Sequence, residues 1–171
     1  MNIDRIAENM ARLIDEWIAD LEKYEFHQLR VQPHPGSWSL GQLTIHLINE
    51  TRYYFEQIKN CRSSVEHAGA MSEPGKEMFR RKKFPDLKIK GTANAYNVPQ
   101  PDSREKLTGQ LLALKAVSDK VAREFDRNGP GGKVKHPGLG WFNAEEWYQF
   151  AEMHFQHHLQ QKKRIMEFLN A

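Results

Sequence analysis

The chain has 171 residues, about the length of one domain and enough to bury a full core. Hydrophobic residues are 39%, charged residues 27%, and mean hydropathy is −0.75, a polar composition. Yet nine Phe, five Tyr and four Trp are too many for a disordered chain. No apolar run approaches the roughly 18 residues a membrane span needs, and the acid-bearing start MNIDRIAENMARLIDEW does not read as a signal peptide. The single cysteine, Cys61, excludes an internal disulfide and a multi-cysteine metal site. The cytoplasm is the expected compartment. A net charge of +3 is too mild to imply nucleic acid. Most of it sits in Arg80, Arg81, Lys82, Lys83, Lys88 and Lys90, which read as a solvated loop or as an anion-attracting rim near a site.

Four segments carry helical periodicity. In the first, Ile3, Ile6, Met10, Leu13, Trp17, Leu21 and Tyr24 step by three and four, and Pro33 and Pro35 bound it. The second opens on Ser39 and Gln42, a capping-box pair, and continues through Leu43, Leu47, Tyr54 and Ile58. The third starts with Asp102 and Glu105, another such pair. It shows Leu107, Leu111, Leu114, Val117, Val121 and Phe125 before Gly129 and Pro130 stop it. The fourth is capped by Asn143 and Glu146, with a stripe of Trp147, Phe150, Ala151, His154, His158, Ile165 and Phe168. No strand pattern stands out. The expectation is an all-α four-helix bundle, one domain over residues 1–171, with a long linker at about 63–101 between the second and third helices. Such a linker is long enough to cross the bundle and let those two helices run parallel.

His154 and His158 are four apart, so both project from one face of the fourth helix, and that face is its apolar stripe. Imidazoles in positions suited to leucine carry a desolvation cost unless something satisfies them. Core hydrogen bonds are one answer and a divalent metal is another. His46 shares a helical face with Leu43 and Glu50 and is the candidate third ligand. Three protein nitrogens leave a position open, as catalytic sites do. Phe155 stands where a zincin would carry its glutamate, so HExxH chemistry is excluded. His157 points away around the helix, Glu50 is a candidate base, and Trp38 and Trp147 are candidate pocket walls. Cys61, fifteen residues beyond His46, is expected to be inert.

The segment Gly36-Ser-Trp-Ser-Leu-Gly-Gln-Leu-Thr-Ile-His46 resembles the W-S-x-x-Q-x-x-x-H signature of the DinB/YfiT-like superfamily. His154-x-x-x-His158 with Gln160 and Gln161, and the stretch His136-Pro-Gly to Glu145-Glu-Trp147, are similar to its fourth-helix motifs. The resemblance implies an up-down-down-up bundle and a divalent metal, nickel or zinc, on His46, His154 and His158. It also implies a metal-dependent enzyme that activates a low-molecular-weight thiol for S-transfer. Read from its charge alone, the basic 80–83 run is a candidate to attract the carboxylates of an anionic thiol. Two alternatives stay open: a metal-dependent hydrolase, and a non-catalytic bundle or homodimerisation module whose histidines fill the core. Neither nucleic acid nor membrane is an expected partner.

Overall fold

A computed structural model describes residues 2–84, 97–125 and 131–171. Helix α1 spans Ile3–Glu22, capped by the Asn2 side chain, which accepts from the Arg5 amide. It ends well short of Pro33. A 3-10 turn at Gln28–Arg30 with buried Leu29 follows, and Tyr24, beyond the helix, continues the buried stripe from the loop. Helix α2 spans Leu40–Ser63 and begins with the full Ser39–Gln42 capping box. Helix α4, Arg104–Arg123, is capped by Ser103 rather than Asp102, whose carboxylate instead pairs with Lys106 on the surface. Helix α5, Ala144–Leu169, starts with the reciprocal Asn143–Glu146 box.

Hydrogen bonds and packed rings between helices fix their directions. Asn9 donates to Glu152 and Tyr24 to Asn170, so α1 and α5 run parallel. Lys115 reaches Asp15 and Arg104 reaches the Tyr24 carbonyl, so α4 opposes α1. His46 meets His158 and Tyr54 stacks on Trp147, so α2 opposes α5. Ser39 bonds Gln100 and Arg62 bonds the Glu124 carbonyl, so α2 and α4 run parallel. The order is up-down-down-up, as the crossover predicted. One core fills the bundle, with Trp17, Phe55, Phe142, Trp147, Tyr148, Phe150 and Phe155 fully buried. Trp17 Nε1 donates to Thr44 Oγ1 at 2.9 Å, tying α1 to α2. Among the described residues no helix is long and apolar enough to cross a membrane.

Two elements correct the reading of four helices without strands. The linker contains helix α3, Glu73–Arg81, capped by Ser72 and started by Pro74. Ahead of α5 lies an antiparallel ribbon, β1 Val134–His136 and β2 Gly140–Phe142, with Val134 opposite Phe142. Gly140 has a φ of +84°, and a Cβ there would meet the Ala70 carbonyl at 2.6 Å, so only glycine lets the linker pass this close. Lys88, Lys90, Gly129 and Pro130 lie outside the described residues.

Candidate metal centre

His46 lies two turns into α2 and projects from the face it shares with Leu43 and Glu50, all three buried. His154 and His158 project together from the facing side of antiparallel α5. The three rings meet through their Nε2 atoms: His46–His154 is 3.2 Å, His46–His158 3.2 Å and His154–His158 3.1 Å. Three imidazole nitrogens held by one tetrahedral cation at about 2.0–2.1 Å lie roughly 3.3–3.4 Å apart, so the triangle is within a few tenths of an ångström of that demand.

Protons alone do not satisfy the cluster. A neutral imidazole carries one N–H, and three Nε2 atoms in mutual contact leave either lone pairs or hydrogens facing one another. Placing the protons on Nδ1 relieves that only for His158, whose Nδ1 donates to Gln161 Oε1 at 3.0 Å. The Nδ1 atoms of His46 and His154 are buried with no hydrogen-bond partner. Bare Nε2 lone pairs converging on one point are what a divalent cation requires, and the residues fit one. Burial, and after it the neighbouring imidazoles, push His46 down to about 3 and hold His154 well below the usual histidine range; His158 falls to about 4. All three rings are therefore neutral near pH 7, the ligand form.

Around the triangle, Trp38 covers His46 with ring centroids 4.8 Å apart, while Tyr54 packs edge-on to His154 at 5.6 Å. The Tyr54 hydroxyl donates to Glu50 Oε2 at 3.2 Å. His157 stands outside the triangle, exposed and stacked on Phe84 at 4.7 Å. Trp147 is core instead of pocket wall, packed among Tyr54, Phe142 and Phe150. His136 is also core: it stacks on Phe142, its Nδ1 accepts from the Gly138 amide, and burial pushes it down to about 4. Cys61 sits at the other end of α2 with its sulfur 3.6 Å from the Phe142 carbonyl, and burial raises its thiol to about 11, an unreactive value.

Two hollows of about 430 and 440 Å³ share Gln161, the hydrogen-bond partner of His158, and Arg164. The first is lined by Lys82, Lys83, Phe84 and His157 as well, the second by Trp38 and His34. The basic run is thus divided: Arg80 and Arg81 are engaged by Glu77, and Lys82 and Lys83 reach the hollow. Sequence reasoning singled out no role for Gln161, Arg164 or Phe84. The three-residue step from His158 to Gln161, which places both on one helical face, is the signal that could have found the first.

A sequence model described as the DinB superfamily matches residues 25–161. No curated protein sequence matches the chain. Among solved structures the chain resembles YfiT from Bacillus subtilis, described as a probable metal-dependent hydrolase with an unusual four-helix bundle topology. The two are 13% identical and superpose with a TM-score of 0.63 over 96% of this chain and 87% of that one, a likeness of fold. With the family signature spanning most of its length, the chain belongs to the DinB superfamily.

Proposed function

We propose that this protein is a metal-dependent enzyme in which His46, His154 and His158 hold a divalent cation, nickel or zinc, that activates a small nucleophile. The observation that carries the reading is the triangle of three buried Nε2 atoms within 3.2 Å of one another, with no fourth His, Cys, Asp or Glu completing it among the described residues. Three imidazole ligands would leave such a cation a position for a thiol or a water, whose pKa it would lower. The chain's own residues orient and shield that position. Gln161 fixes the tautomer of His158 so that its Nε2 lone pair faces the cluster. Trp38 covers His46 and limits access by water. Glu50, buried one turn beyond His46 and anchored by the Tyr54 hydroxyl, is the proposed acceptor of the nucleophile's proton.

S-transfer from a low-molecular-weight thiol is the reading adopted, supported by the resemblance of the His46 and His154/His158 motifs to the superfamily's signature, which implies thiol-dependent chemistry. Hydrolysis is the second, supported by the fold shared with YfiT. A panel of electrophiles and esters assayed with and without added thiols separates them. Turnover that requires a thiol supports S-transfer; turnover without one supports hydrolysis. Glu50→Gln should lower kcat by about a hundredfold at unchanged metal content, the scale of a lost general base. Undiminished turnover in that variant would remove Glu50 from the chemistry.

A further inference from the structure

Among the lining residues of the 430 Å³ hollow, Gln161 bonds His158 Nδ1, and the ring of Phe84 lies 5.8 Å from that of His154. The described lining of that space contains Lys82, Lys83, Arg164 and His157 and no aspartate or glutamate. None of Lys82, Lys83 and Arg164 is among the salt bridges of the described residues, whereas their neighbours are paired: Arg80 and Arg81 with Glu77, Lys162 with Asp20, Lys163 with Glu167. Lys82 also borders a neighbouring hollow with Glu152, on whose carboxyl its charge acts, which offsets part of the repulsion. Lys83 and Arg164 have no such acid among the lining residues, and cations gathered around one concave space repel one another unless an anion joins them.

The backbone carries a second sign. Lys82 caps α3 in the left-handed region, at φ 50° and ψ 36°, the only non-glycine residue with positive φ among the described residues. Glycine adopts this conformation freely and lysine only at a cost. The turn it makes brings Lys83 and Phe84 onto α5, where Phe84 stacks on His157. Arg164 arrives from α5 itself and borders both hollows, so an anion held by it is adjacent to the space on either side of Gln161.

We infer that Lys82, Lys83 and Arg164 form an anion subsite for a carboxylate or phosphate group of the substrate, beside the three-histidine cluster. The planar guanidinium of Arg164 offers paired donors to either oxyanion, and the lysines add point charge. Assigning the anion to the substrate rests on the proposed metal-dependent reading; the subsite itself does not.

The test uses metal-free protein at low ionic strength, titrated with inorganic phosphate and, separately, with succinate, followed by calorimetry and by amide NMR shifts. Saturable binding is expected for at least one probe, and the stronger of the two identifies the oxyanion class. Arg164→Gln and Lys82→Gly should each weaken it about tenfold, the scale of one charge-assisted contact. Lys82→Gly also relieves the left-handed turn, so its melting temperature should not fall. Lys163→Gln, an equal change of net charge at a paired residue, should bind within about twofold of wild type. Three results would each overturn the subsite: no saturable binding to wild type, equal binding by all three variants, or binding that appears only after zinc is added. The metal reading fails by a different result, wild type that takes up neither zinc nor nickel, so the two failures are distinguishable.

Discussion

Replacing His154 with leucine should invert the order of stability depending on whether metal is present. His154 is 6% exposed, its ring packs edge-on against His46, His158 and Tyr54, and its buried Nδ1 has no partner. An orphaned buried polar atom costs about 1–3 kcal/mol, and leucine is close to histidine in volume. Without metal, the leucine variant should therefore be more stable than wild type by about 1–3 kcal/mol. With a cation at about a thousandfold above its dissociation constant, wild type gains about 4 kcal/mol by mass action. The variant, left with two nitrogens, gains little of it. Wild type should then lead by about 1–3 kcal/mol. Urea unfolding with chelator and with excess zinc or nickel reads both differences, provided the denaturant slopes agree. If the variant is instead less stable than wild type by more than about 1 kcal/mol in chelator, and zinc and nickel stabilise neither, the histidines are hydrogen-bonded core residues and the reasoning is wrong.

Other consequences follow from single contacts. Gln161→Leu removes the acceptor that fixes the His158 tautomer, and titration should show metal affinity reduced about 10–100-fold without loss of fold. Gly140→Ala combines a φ of +84° with a Cβ 2.6 Å from the Ala70 carbonyl and should cost about 2–3 kcal/mol. Gly36→Ala, with a φ of +80° and nothing within 4 Å, should cost only about 1 kcal/mol in the same melts. His136 is held down to about 4, below the roughly 6.5 of the unfolded chain. The unfolded state thus binds the extra proton between those values, and folded stability falls as pH drops through that window. From pH 7 to 5 this amounts to roughly 1–2 kcal/mol, and His136→Gln should lose that share of the acid sensitivity in paired melts.

The parts of the structure legible in the sequence are those where one physical signal dominates. Ser39 with Gln42 and Asn143 with Glu146 marked two helix starts because a cap needs both partners at fixed spacing. His154 and His158 declared a shared face through the helical repeat, and His46 was placed by the stripe it shares with Leu43. Other features depend on packing that has no local trace. The stripe through Tyr24 follows the helical step, but α1 ends at Glu22, and Tyr24 is held from the loop by its hydroxyl's bond to Asn170, a residue remote in sequence. Helix α3 is nine residues long with Pro and Gly in its first turn, so its composition reads as loop. The ribbon strands are three residues each, too short to show alternation, and Gly140 is explained only by the linker backbone beside it. Ser103 and Asp102 are both good caps, and only the fold selects between them. The division of the basic run depends on Glu77, which takes Arg80 and Arg81 at helical spacing and leaves Lys82 and Lys83 to the hollow.

Metal content of the untagged protein, measured by mass spectrometry for wild type beside His158→Ala, bears on the central claim most directly. Near-stoichiometric nickel, zinc or another divalent metal in wild type, lost from the variant, is the predicted result. Wild-type protein that is metal-free as isolated and stays empty after incubation with these ions would contradict the account and return the three histidines to the core.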